Sequence, residues 1–137
     1  MSKYGTLETE IKEQKYLVAA LAEMGYRTEI HPQGSALVGF EGRERPERAN
    51  IIIRRQHLDS ASNDIGFAKS ADGRYAAQLS EYDQRIGFGQ KWLNRVHQLY
   101  KEKQTIAAAN AKGYIFKGRE VVKSEHGEKI QLRFAVR

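Results

Sequence analysis

The sequence predicts an α+β fold in which two helices pack on one face of an antiparallel β-sheet. Three observations carry this. Apolar residues between Lys12 and Met24 recur at helical spacing and are followed by Gly25. An Asp72-Gly73 pair separates two β-prone runs, the local signal of a tight hairpin. The closing run Ile130, Leu132, Phe134 and Val136 alternates with Gln131 and Arg133, as a strand covered on one face does.

The elements follow in order. Leu17, Leu21 and Met24, with Val18 and Ala20 beside them, form the stripe of the first helix, and Gly25 supplies its left-handed stop. Tyr26 to Ile30 has β-propensity and alternation, so it leaves that helix as a strand. His31-Pro32-Gln33-Gly34 and Arg45-Pro46-Glu47 read as turns, with a strand from Ser35 to Phe40 between them. Three successive isoleucines within Asn50 to Arg54 predict a strand covered on both faces. Asp64 to Lys69 and Arg74 to Leu79 are the two arms of the hairpin. A second helix is expected from about Gln90 to Lys112, with Trp92, Val96, Leu99 and Ile106 near one stripe and Gly113 as its stop. In the last strand Ile130, Leu132, Phe134 and Val136 are expected to join Ile51 and Ile53 in the core, leaving Lys129 and Arg133 to solvent.

Val18 to Tyr26 aligns without gaps to Ile106 to Tyr114, each copy a helix, a glycine, a tyrosine and a strand. A duplication of this kind would give two β-α-β-β-like halves sharing one sheet, a ferredoxin-like arrangement. The length of 137 residues fits one domain spanning residues 1–137.

Hydrophobic residues at 40% and charged residues at 29% are those of a soluble globular protein. No apolar run approaches the roughly 20 residues of a membrane span, and the N-terminus lacks the apolar core of a secretory signal. Zero cysteines exclude disulfides, thiol catalysis and cysteine metal sites, and fit a cytoplasmic location. The net charge of +6 is unevenly spread: residues 1–84 hold 11 Lys/Arg against 13 Asp/Glu, residues 85–137 hold 12 against 4. That asymmetry points to an anionic partner, or to a solvated surface that merely keeps the protein soluble.

No catalytic motif stands out. The four histidines, His31, His57, His97 and His126, lack metal-binding spacing, so no metal and no cofactor is expected. His57, Asp59 and Ser60 are the residue types of a hydrolytic triad, but triad members come together through the fold, so the stretch reads as a polar loop. Gly34 to Gly39 and Gly113 to Gly118 lack the spacing of phosphate loops. Gly87-Phe88-Gly89 precedes a helix and so resembles an anion-binding entrance, or is a plain loop. The candidate nucleic-acid or anion site is Lys91, Arg95, Lys117, Arg119 and Lys123, with Trp92, Tyr100, Tyr114 and Phe116 interleaved. Trp92 lies on the apolar stripe and reads as core. Arg43, Arg45 and Arg48 alternate with Glu41, Glu44 and Glu47, so that stretch compensates its own charge.

Several stretches, taken in order, resemble one family. They are Leu17-Val18-Ala19-Ala20-Leu21 with Gly25-Tyr26, then Ile52-Ile53-Arg54, then Asp64-Ile65-Gly66-Phe67 with Asp72-Gly73-Arg74-Tyr75. Trp92-Leu93, Gln98-Leu99-Tyr100, Gly127 and Ile130-Gln131-Leu132 follow. Together they are similar to the plastid and cyanobacterial family called hypothetical chloroplast reading frame thirty-five, also found in other bacteria and phages. The resemblance implies a compact α+β protein of stroma or cytoplasm with no accepted activity and no catalytic residues. Ser80 to Gly89 and the basic C-terminal third depart from the family's pattern. The leading functional expectation is a non-enzymatic accessory protein that docks on a larger protein assembly. The alternatives are a nucleic-acid-binding module using the basic C-terminal third, and a small-molecule enzyme or ligand binder.

Overall fold

Alternation along the strands decides which residues meet the helices. In the computed structural model, which describes residues 2–136, the chain divides into two compact units, Met1–Tyr100 and Lys101–Arg137. The first contains β1 (Tyr4–Glu8), α1 (Gln14–Glu23), β2 (Glu29–Val38), β3 (Glu44–Ile53), β4 (Ile65–Lys69), β5 (Tyr75–Ser80) and the short α2 (Glu81–Arg85). The helix α3 (Gln90–Ala111) begins in it. The five strands form one antiparallel sheet in the order β1-β5-β4-β3-β2.

One face of this sheet presents Ile51, Ile53, Ile65, Phe67, Tyr75, Ala77 and Leu79, all buried. Against them pack Leu17, Ala20 and Leu21 of α1 and Trp92, Leu93, Val96, Leu99 and Tyr100 of α3. Both helices therefore cover the same face, as the sequence predicts. Each large side chain so buried is worth about 1.5–3 kcal/mol. Trp92 is core: its ring meets Tyr26 and Phe88 edge-on at centroid distances of 5.9 and 5.5 Å. On the opposite face Leu37, Ala49 and Ile52 form a smaller buried cluster. All three isoleucines of β3 are thus fully covered, which explains their unbroken run.

β2 and β3 are longer than the sequence suggests, and both proline stretches expected as turns lie inside strands. The pairing is irregular between Ile30 and Ser35, so Pro32 occupies a break in the ladder of an edge strand, where its missing N–H does no harm. Asn50 covers part of the irregularity. Its amide donates to the carbonyl of His31 at 3.1 Å, and its own carbonyl accepts from Lys69 N at 2.9 Å. The hairpin turn after β4 is five residues long, Ser70 to Arg74, with Gly73 at φ +89°.

The second unit consists of the end of α3 and a hairpin of β6 (Tyr114–Ser124) and β7 (Gly127–Val136). These two strands form a sheet of their own. This corrects two expectations. The proposed halves do not share one sheet, because the strand after Gly113 enters the separate ribbon. Ile130, Leu132 and Phe134 are only half-buried and Val136 is 77% exposed, so they do not join Ile51 and Ile53 in the core. A two-stranded ribbon beside a few turns of one helix lacks the strands to complete their burial. Within the ribbon Phe116 packs against Phe134 at 5.8 Å.

Gly25 and Gly113 stand just past their helices at φ +94° and +90°. Tyr114 begins β6 at once, whereas three residues separate Gly25 from β2. A Cβ at either glycine would meet nothing within 4 Å, so alanine acts through backbone strain alone. Each substitution is expected to cost about 1 kcal/mol in urea denaturation. No measurable loss at both would mean the left-handed stops carry no strain.

Candidate functional site

The strongest chemistry in the first unit is a buried polar knot at the start of β4. Asp64 is fully buried. Its carboxylate accepts from Val38 N at 2.8 Å, Arg55 N at 2.7 Å and Arg54 Nη1 at 2.8 Å. Arg54 also pairs with Glu29 at 2.9 Å, and Glu29 with His31 at 2.9 Å. Tyr4 Oη donates to the Asp64 carbonyl at 2.5 Å. Burial, then the negative charge of Asp64, raises the Tyr4 pKa, so the phenol stays protonated as a donor. Next to this, Ser80 caps α2: its hydroxyl accepts from Asp83 N at 3.1 Å and donates to Asp83 Oδ2 at 2.7 Å. Asn63 donates from its backbone to the same Asp83 oxygen at 3.0 Å and from its amide to Ser80 at 2.9 Å.

This knot ties β1, β2, β3, β4 and α2 together, and the Ser80 hydroxyl within it, bonded to the Asp83 carboxylate, is fully buried and engaged in capping α2. Its chemistry is bracing. The hydrogen bonds from Arg54 and then His31 lower the Glu29 pKa to about 2. The group is therefore depressed in the folded state: its stabilising contribution is complete above the ordinary carboxylate range and is lost as pH falls towards 2. The Glu29 side chain is 47% exposed, so solvent screening keeps that contribution small. Glu29→Gln is expected to flatten the pH 5-to-2 slope of the urea midpoint. An unchanged slope would mean the Arg54–Glu29 contact carries no linkage.

Among the other candidates, Asp59 accepts from Tyr82 Oη at 2.7 Å and from Ala61 N at 3.2 Å, so it orients that loop instead of serving His57. Gly87-Phe88-Gly89 is a packed loop, with the Phe88 ring in the aromatic cluster and its N–H on the Asp83 carbonyl at 2.8 Å. Among the described residues no group of three or more His, Asp or Glu could hold a metal ion. No helix there is long and apolar enough to cross a membrane.

The five basic candidates divide between the units. Lys91 and Arg95 are exposed on α3 in the first. Lys117, Arg119 and Lys123 are exposed on β6 in the second, a unit that holds nine Lys/Arg against four Asp/Glu. Arg119 stands opposite Leu132 and Lys123 opposite Glu128, so both share a ribbon face with Val121 and Ile130. Lys117 falls in the bulge between Phe116 and Gly118. The Arg119 guanidinium binds the buried carboxylate of Glu102 at 2.6 Å, which fastens β6 to the helix. The same ribbon exposes apolar side chains: Tyr114, Ile115 and Val121 are 43%, 39% and 54% exposed. Sequence reading missed this mixture, because alternation in β7 was taken for a core face.

A family model described as a protein of unknown function (DUF1257) matches residues 20–133. No curated protein and no solved structure matches the chain. The family match corrects the assignment suggested by Asp64 to Tyr75 and the accompanying motifs: it does not carry the chloroplast reading-frame designation, and that resemblance is set aside.

Proposed function

The chain belongs to the DUF1257 family of proteins of unknown function, and from that premise we propose a non-enzymatic accessory protein that docks through its C-terminal ribbon on an acidic protein partner. The observation that carries this reading is the coexistence on β6–β7 of exposed aliphatic side chains with a surplus of cations. Monomeric domains seldom leave such a ribbon without a neighbour. Both of its outer edges keep backbone groups that a partner strand can pair with. Its positive charge steers an acidic surface towards it and repels a second copy of itself. The cysteine-free chain fits a reducing, cytosol-like compartment.

The nucleic-acid reading rests on the same charge. Against it, Tyr114 is the single aromatic ring among the ribbon's exposed large apolar residues, and Ile115, Val121 and Val136 are aliphatic, whereas bases stack on aromatic rings. Affinity capture from the native cell extract, with and without nuclease, separates the two. One stoichiometric protein surviving nuclease is expected, and Val121→Glu with Lys123→Glu should reduce its recovery at least about tenfold. Undiminished recovery by that double variant overturns ribbon docking. Loss of all material on nuclease treatment transfers the function to nucleic acid.

A further inference from the structure

A cavity of about 420 Å³ in the first unit is built from residues other than those of the ribbon. Its size falls within the roughly 300–1,000 Å³ typical of small-ligand pockets. Phe40, Ala61 and Tyr82 supply apolar wall, while Asn63, Glu81 and Arg85 supply polar groups. The walls are fixed by bonds described above and by one more. Tyr82 is held by Asp59 at 2.7 Å, and Phe40 N donates to Asn63 Oδ1 at 3.0 Å. Phe40 is nevertheless 53% exposed, a large ring with little to cover it.

Two features indicate what fits. Asn63 is 2% exposed, and its amide uses one N–H on Ser80, leaving the other without a partner among the described residues. A buried donor of this kind calls for an acceptor. Glu81 and Arg85 stand four apart on α2, the spacing at which opposite charges usually pair, and no salt bridge joins them. A carboxylate and a guanidinium that line the same cavity with an apolar wall match a ligand that bears both charges and a ring. We infer that this cavity binds a small aromatic zwitterion of the α-amino-acid type. Its ring lies against Phe40 and Tyr82, its carboxylate meets Arg85 and the free N–H of Asn63, and its ammonium meets Glu81.

The test is titration of the isotope-labelled full chain with L-phenylalanine, 3-phenylpropionate and phenethylamine, followed by backbone amide shifts. L-Phenylalanine is expected to give saturable shifts centred on Phe40, Asn63 and the 81–85 segment. Each analogue lacks one charge and should bind about tenfold more weakly, the loss typical of one charged hydrogen bond. Arg85→Gln and Phe40→Ala alter exposed side chains, and either variant that keeps the native amide spectrum should lose a similar factor. Glu81→Gln should weaken L-phenylalanine while strengthening 3-phenylpropionate. Absence of saturable shifts, shifts centred elsewhere, or equal binding of the single-charge analogues would overturn the assignment.

Discussion

Replacing Phe67 by alanine is expected to cost about 3–5 kcal/mol, while Phe134→Ala leaves the first unit's stability within about 1 kcal/mol of the parent. Phe67 is fully buried at the centre of the sheet face, 6.4 Å from the Trp92 ring centroid, with Ile51 and Ala77 as cross-strand neighbours. Removing its ring leaves a void that neither helix can fill without moving. Phe134 is half-buried on a ribbon and can be lost largely to solvent. Urea unfolding followed by Trp92 fluorescence compares them directly. Equal losses would mean that β7 contributes to the first unit's core after all.

Asp64→Ala should cost a similar amount, about 3–5 kcal/mol, although no apolar area is lost. The substitution leaves the Arg54 guanidinium with Glu29 and the Ala36 carbonyl and leaves the N–H groups of Val38 and Arg55 without acceptors. Asp64→Asn discriminates charge from hydrogen bonding: it keeps one acceptor but loses the charge facing Arg54, and so should fall between the parent and alanine. An alanine variant within about 1 kcal/mol of the parent would show that water replaces the carboxylate and that the knot does not brace the sheet.

What the sequence disclosed was mostly local. The stripe Leu17–Leu21, the stops Gly25 and Gly113 and the turn at Gly73 are each decided within a few residues, and each stands where expected. Alternation at Ile130 to Val136 correctly marked a strand, but alternation distinguishes two faces without saying what covers either. Pro32 and Pro46 looked like turns because an irregular edge ladder that tolerates proline is a property of the pairing, not of the peptide. The knot around Asp64 was invisible for a related reason. Its donors come from Val38, Arg54 and Arg55, brought together only once β2, β3 and β4 are paired. The basic candidates were legible as a surplus along the chain, whereas the capture of Arg119 by Glu102 depended on a buried acid 17 residues away in α3.

β1 lies beside β5, with Leu7 opposite Ala77, so β1 is made before β2 to β5 yet gains its neighbour only after all of them. On the ribosome, β2 to β5 can form their hairpins in sequence as they emerge, but β1 must wait through α1 and the whole meander. Until it docks, β5 presents an open edge with Tyr75, Ala77 and Leu79 on one side of it, a template for pairing with another nascent chain. β1 thus acts as a latch on synthesis, and changes that slow its return to β5 would favour aggregation of a chain whose finished fold is sound.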